Sequence, residues 1–276
     1  MTRTPKAERR PAGRSTTSLP RSARIGLGVL GIAGVALGFE LIPRLGLVSP
    51  RYLPPTSAML GALVREAATA AFWRALLDTI EGWALGLAIA VAAGTVAGVM
   101  IGSRRGLRTA TASTIEFLRP IPSVALIPVA VLLYGGQLRS VLLLVVYASF
   151  WPVLLQVIHG VADVDPVARD TALSYRLPPW VKLRHLILPT ALPYLLTGVR
   201  LSAAVALILA ITAELVIGAP GLGNAIGVAM ASSAVPVMYA LIFVVGLIGV
   251  AVNAGFRALE RWLLAWHPSV RREAAA

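Results

Sequence analysis

The sequence predicts an all-α membrane fold with six transmembrane helices and both termini on the cytoplasmic side. Three observations lead there. The 276-residue chain is 57% hydrophobic and only 13% charged, with a mean hydropathy of +0.80, whereas about a quarter of the residues in a soluble domain are charged. Its apolar residues gather in runs close to the roughly 17–25 residues a bilayer requires. Its basic residues collect between alternate runs. Such a composition excludes an ordinary soluble enzyme and any disordered or fibrous chain.

Taken in order, residues 1–24 are polar, basic and broken by Pro5, Pro11 and Pro20, and predict a disordered cytoplasmic arm. The apolar run 25–42 lacks a small-residue cleavage site, so it is expected to be an uncleaved first span rather than a signal peptide. Further spans are expected at 80–101, 120–134, 141–158, 192–217 and 237–256. The membrane domain then covers 25–267, and 268–276 form a cytoplasmic tail. The third span is short and carries Pro120, Pro122 and Pro128. Proline removes a backbone donor and kinks a helix, and the freed carbonyls need a neighbouring helix or a hydrated cavity. Two readings follow for Pro122 and Pro128: a kinked helix lining a path, or a bent packing helix.

Charge placement orients the chain. Segments on the amino-terminal side of the membrane hold nineteen basic residues and the opposite segments five, with Arg200 inside a span. That bias places both ends in the cytoplasm and turns a net charge of +13 into a topology signal, which removes nucleic acid as a partner. With no cysteine, there is no disulfide framework and no thiolate metal site. In the second span Gly82, Gly86, Gly94, Gly98 and Gly102 recur at multiples of four, with Ala90 filling the gap. Small residues at that spacing form a flat face for close helix approach, within the subunit or across a dimer.

Residues 161–189 are the longest polar stretch between spans. Asp165 before Pro166 reads as an N-cap followed by proline at the first helical position. A short helix over about 166–175 is expected, then a turn where Leu177 precedes Pro178. A second short helix should run from Pro179 to near Pro189. Two short helices at an angle make a knob suited to a groove on a partner protein. A membrane-surface helix pair is the other reading.

These residues resemble the cytoplasmic EAA loop of ABC importer permeases. The resemblance is carried by Asp170-Thr171-Ala172, Arg176 and Ile187-Leu188-Pro189, in the family's spacing. It extends to Leu118-Arg119-Pro120-Ile121-Pro122, Ala191-Leu192-Pro193, Thr197-Gly198-Val199-Arg200, Ala213-Glu214, Gly221-Leu222-Gly223 and Tyr52-Leu53-Pro54-Pro55-Thr56-Ser57. It covers residues 25–267 and looks nearest to the nitrate, sulfonate, taurine and bicarbonate branch. Two positions depart from the pattern. Asp170 stands where Glu is usual, and Arg176 stands where a turn glycine is usual. An arginine takes positive φ at a cost, so Pro178 and Pro179 are expected to set the turn instead.

The resemblance implies a type I importer permease in the bacterial cytoplasmic (inner) membrane, a homodimer around a central path. Asp170, Thr171, Ala172, Arg176, Ile187, Leu188 and Pro189 would form the coupling helix that seats in cytoplasmic ATPase subunits. A periplasmic or lipid-anchored binding protein would deliver a small solute such as a sulfonate or nitrate. The chain itself has no G-x-x-x-x-G-K-[ST] phosphate loop, so ATP hydrolysis is expected in a partner. No cofactor and no metal site are expected, since His159, His185 and His267 lack ligand spacing. Residues 218–224 read as an external loop or re-entrant turn.

Charges inside spans are costly, about 2.5–3.5 kcal/mol each at mid-membrane on insertion scales. Arg200 and Glu214 in the fifth span lie about 21 Å apart by helical rise and cannot pair with one another. Arg200 is open to two readings, substrate ligand or partner of another helix. Glu214, near the outer end, shapes a gate or contacts water. Gln156 lines the path or bonds between helices. An ion-gradient-driven secondary transporter is the alternative class, and would require paired intramembrane acids on facing helices.

Overall fold

In a computed structural model of the chain, residues 21–265 are described. The expected arm at 1–24 and tail at 268–276 lie almost wholly outside that range. The described residues are helices joined by short turns, with no strand among them, and the chain divides into two compact units after Ser57.

In the first unit, helix α1 (Arg21–Arg44) ends where Gly46 takes a φ of +74° and Leu47 N–H donates to the Ile42 carbonyl at 3.2 Å. The chain then folds back on the helix it has just left. Thr56 Oγ1 donates to the Ala36 carbonyl at 2.8 Å. Glu40 accepts from the Ser57 N–H at 2.8 Å and the Ser57 hydroxyl at 3.0 Å, and pairs with Arg44. Ser57 lies in the first turn of helix α2 (Thr56–Ala67), so a carboxylate satisfies a backbone donor that a helix start leaves free.

The second unit is built around α6 (Leu138–Ala162), which packs between α3 (Ala70–Gly102) and α9 (Leu188–Ile217). The glycine stripe of α3 is buried and meets valines of α6. A Cβ added at Gly86 would stand 2.5 Å from Val145 Cγ1, one at Gly98 2.7 Å from Val157 Cβ, and one at Gly102 2.9 Å from Val161 Cβ. The pairs advance together along both helices, so α3 and α6 run parallel, as they must when one span lies between them. The stripe's partner is thus within the chain. Helix α9 runs the other way: Gly160 meets Ala191 and Tyr194, and Gly198 meets Val153 and the Pro152 carbonyl. Ser202 Oγ donates to the Ser149 carbonyl at 2.6 Å and Trp83 Nε1 donates to the Ala203 carbonyl at 2.9 Å, which ties the three helices with one buried and one part-buried hydrogen bond.

Between α3 and α6 the chain departs from expectation. A polar loop at 103–119 and a span at 120–134 were expected. Instead, helix α4 (Arg105–Leu118) is followed by a 3-10 turn (Ser123–Leu126) and helix α5 (Ile127–Tyr134), with a bend of 79° between the halves. Residues 105–118 form a helix because Leu107, Thr111, Ile115 and Leu118 share one face, and Ile115 and Leu118 pack on Trp151, Leu154 and Ile158. Pro120 and Pro122 occupy the break, whereas Pro128 sits in the first turn of α5, where its missing donor costs nothing. Tyr147 Oη donates to the Leu118 carbonyl at 2.7 Å, which also accepts from the Ile121 N–H at 3.2 Å, so the break is held to α6.

After α6, helix α7 (Pro166–Ser174) and the short α8 (Pro179–Lys182) form as anticipated, but the second helix does not end near Pro189. A single π turn (Leu183–Ile187) carries it into α9, giving a continuous helical stretch Pro179–Ile217 of 39 residues. The wider turn sits directly before Pro189, where a regular α turn would press the proline ring on the carbonyl four residues back. A short α10 (Leu222–Ala231) and a long α11 (Val235–Leu263) complete the unit. Five helices are long and apolar enough to cross a membrane, six with the bent pair.

Gly98→Ala should destabilise the detergent-solubilised protein by about 1–3 kcal/mol, as overpacking does. Gly255→Ala, with no atom within 4 Å of the new methyl, should cause no loss. Equal melting temperatures for the two variants would contradict the seam.

Candidate translocation path and coupling knob

Local hydrogen bonds shape the knob at 163–182. Asp165 Oδ1 accepts from the N–H groups of Val167 at 2.7 Å and Ala168 at 3.3 Å, capping α7. At the other end Arg176 N–H donates to the Leu173 carbonyl at 2.9 Å and Leu177 N–H to the Ala172 carbonyl at 3.0 Å. That pair of bonds is a Schellman motif, which places its C′ residue in the left-handed region. Arg176 occupies C′ with a φ of +50°. The expectation that Pro178 and Pro179 would set the turn in its place is therefore corrected. The arginine adopts the conformation for which glycine is usual, at a cost on the order of 1–2 kcal/mol, and the two end bonds hold it there. Ala172 is buried, while Asp170, Thr171 and Arg176 face solvent. Tyr194 Oη donates to Asp163 Oδ2 at 2.7 Å, fastening the base of the knob to α9. Ile187, Leu188 and Pro189 lie in the stretch that joins the knob to that helix.

At the far end of α9 a second cluster forms around Glu214, which is 1% exposed. Its Oε2 accepts from Thr79 Oγ1 at 2.8 Å and from the Gly223 N–H at 2.9 Å, and Thr79 Oγ1 accepts from the Leu222 N–H at 2.8 Å. Gly218 closes α9 in the left-handed conformation, with its N–H on the Glu214 carbonyl at 2.9 Å. Gly221 has a φ of +148°, and a Cβ there would run into the Glu214 carboxylate. A Cβ at Gly223 would run into the Ile211 carbonyl. The glycines of 218–224 thus serve close approach of α10 to a buried carboxylate, and two of the donors that the helix start leaves free, those of Leu222 and Gly223, find side-chain acceptors.

The exposed face of α6 carries two hollows in succession. An open groove of about 830 Å³ near the start of α6 is lined by Tyr134, Arg139, Leu142, Val146, Phe150 and others. Toward its end a cavity of about 710 Å³ is lined by Arg108, Glu116, Arg119, Leu155, His159 and neighbours. The Tyr147–Leu118 hydrogen bond and the proline break lie at the level between them.

The path residues anticipated from sequence are not brought together. Arg200 pairs with Glu260 of α11 at 3.0 Å, a contact between two helices. Glu214 is locked in its cluster. Gln156 packs against α9 beside Gly198, and Pro122 lies exposed at the break. Among the described residues, no group of His, Cys, Asp or Glu is placed to hold a metal ion.

With this geometry in place, similarity to known proteins decides the family. The model of the binding-protein-dependent transport system inner membrane component matches residues 85–265. The taurine transport system permease protein TauC of Escherichia coli is 32% identical over 91% of this chain and 94% of its own length. The chain belongs to this permease family.

Other relatives of the permease include the putative aliphatic sulfonates transport permease protein SsuC of Bacillus subtilis, 27% identical over 88% of each chain. The bicarbonate transport system permease protein CmpB of Synechococcus elongatus is 26% identical over 70% of this chain and 69% of that one. An inward-facing structure of the MetNI methionine ABC transporter superposes with a TM-score of 0.60 at 17% identity, covering 69% of this chain and 95% of the other, and shares its fold. The permease is therefore a multi-pass inner-membrane transport subunit. Sequence reasoning missed Thr79, whose hydroxyl joins Glu214 to α10. The one available signal was a polar side chain near the start of a span.

Glu214→Ala should leave two buried donors without acceptors and destabilise the permease by about 1–3 kcal/mol per orphaned group. Glu214→Gln keeps an acceptor oxygen and should lose much less. Thermal unfolding in detergent that ranks the two variants equally would contradict the cluster.

Proposed function

We propose that this permease forms, as a homodimer, the path of an ATP-driven importer for a small solute bearing an oxyanion. ATP is hydrolysed by a separate cytoplasmic ATPase, and a binding protein presents the solute at the outer mouth. The single observation that carries the coupling role is the knob. It is a capped, solvent-facing helix pair whose base is hydrogen-bonded to α9 and whose second helix runs without interruption into that span. A force applied at α8 therefore reaches the membrane through continuous helix, and α7 is tied to it by the short turn at 175–178 and to α9 by the Tyr194–Asp163 bond.

The oxyanion reading draws on the relatives, which are named for transport of taurine, aliphatic sulfonates, bicarbonate and nitrate. On this reading the knob, with Asp170, Thr171, Ala172 and Arg176, seats in a cleft of the ATPase, and the charge bias of the loops puts it on the cytoplasmic side. Closure of two ATPase subunits shifts the permease between inward-open and outward-open states only through contacts that differ between those states. The knob supplies such contacts.

Asp170→Arg reverses an exposed charge without touching the buried Ala172. Co-purification of the cognate ATPase should fall by about tenfold or more, as expected for a like charge set into a docking surface, and ATP-dependent uptake into proteoliposomes should be lost with it. Undiminished association and uptake would overturn the docking role.

A further inference from the structure

Helix α4 carries its cations at the unfavourable end. Arg104, Arg105 and Arg108 stand at its amino terminus, the first turn holds no acidic residue, and Arg104 at the N-cap makes no side-chain capping bond. A helix bears about half a positive charge at that end and is stabilised there by anions. Arg108 is also half-buried, and among the described residues its guanidinium makes no ion pair. Arg200, by contrast, is matched by Glu260.

Arg108 lines the cavity of about 710 Å³ together with Ile101, in the last turn of α3, and His159 and Ala162, in the last turn of α6. The knob follows directly from that end of α6, so the hollow belongs to the end of the bundle that the basic loops assign to the cytoplasm. Its charged groups are Arg108, Glu116 and Arg119, which leave it net positive with His159 neutral. The wall between them is apolar, with Ile101, Ala112, Ile115, Leu155 and Ile158. Arg119 lies on the same face of α4 as Arg108, eleven residues on and about 16 Å away by helical rise. A small anion held by Arg108 would leave most of that length empty. A ligand that answers both the unpaired guanidinium and the apolar wall has an anionic head on a hydrocarbon tail. Basic hollows between membrane helices on the cytoplasmic side take the headgroups of anionic lipids, and arginine binds phosphate through paired N–H donors.

We propose that this hollow binds an anionic glycerophospholipid, with its phosphate on Arg108 and an acyl chain laid along Ile158 and Leu155 beside α4. The lipid supplies the negative charge that the start of α4 lacks and fills the gap between α4 and the end of α6. Ala162 in the wall directly precedes Asp163, which is bonded to Tyr194 at the base of the knob, so the occupied hollow braces α6 next to the knob. The assignment needs only an inner-membrane permease and is independent of the oxyanion reading above.

The test titrates the full-length permease in mild detergent with dioleoylphosphatidylglycerol and, separately, dioleoylphosphatidylcholine, and follows lipid adducts by native mass spectrometry. The phosphatidylglycerol adduct should form at the lower lipid concentration. Arg108→Ala should raise its apparent Kd about tenfold to a hundredfold, the loss expected for one charge-assisted hydrogen bond, and Arg108→Lys should recover part of it. Arg105→Ala removes a neighbouring charge outside the hollow and should leave the adduct unchanged. Ala112→Phe fills the hollow without altering any charge and should also suppress the adduct. Size-exclusion profiles check that each variant folds, and Ala112→Phe with Arg108→Lys carries the test where Arg108→Ala does not. Equal weakening by Arg105→Ala and Arg108→Ala would show a diffuse basic surface and overturn the site. An adduct indifferent to both Arg108→Ala and Ala112→Phe would place the lipid elsewhere and overturn it too. Inorganic phosphate that displaces the lipid and raises the melting temperature as much would replace the lipid by a free anion. Loss of a dimer in Arg108→Ala with unchanged adducts would assign the hollow to a second copy of the chain, again against the proposal.

Discussion

Within lipid no hydrophobic force favours one helix pairing over another, so a bundle depends on how closely backbones approach and on the hydrogen bonds they share. In this chain that constraint is met along α6. Its valines fill the groove left by the glycines of α3, and the adjoining side accepts α9 through Gly160, Gly198 and the bond between Ser149 and Ser202. Dispersion at these distances is summed over many atom pairs, and each added methyl would push the backbones apart. The three-helix core is the support on which the less regular parts are mounted.

Those irregular parts occur at three heights of the same core. At one end the knob is attached by Tyr194 to Asp163. Midway, the proline break is held to α6 by Tyr147. At the other end, the start of α10 is held by Glu214 and Thr79. In each case side-chain hydrogen bonds from core helices secure a segment whose backbone departs from regular helix. This division suits a moving passage, because a fixed core can tilt while the contacts at its ends are exchanged.

The legibility of this architecture followed the range of the interactions. The glycine stripe could be read because its spacing is local, but its partner could not, since the valines of α6 become relevant only once two distant helices are in register. The knob's first helix announced itself through Asp165 and Pro166. The left-handed Arg176 did not, because the Schellman bonds that hold it outweigh the preference of a single residue. Helix α4 was hidden by its charge: Arg105 and Arg108 read as loop, while the narrow apolar face that packs on Trp151 and Ile158 is short. Glu214 stood out as a charge in a span, yet its partner Thr79 lies 135 residues away in sequence.

Coupling across the membrane requires the continuous helix Pro179–Ile217 to act as one body from the knob to the Glu214 cluster. Spin labels on Arg184→Cys and Val216→Cys, both exposed positions in this cysteine-free chain, test that directly in the assembled importer. Helical rise sets their backbone separation at about 48 Å. Double electron–electron resonance should give the same distance in the nucleotide-free and ATP-trapped states. A shortening of about one helical turn, ~5 Å or more, would show a hinge within α9 and contradict a rigid connection between knob and outer cluster.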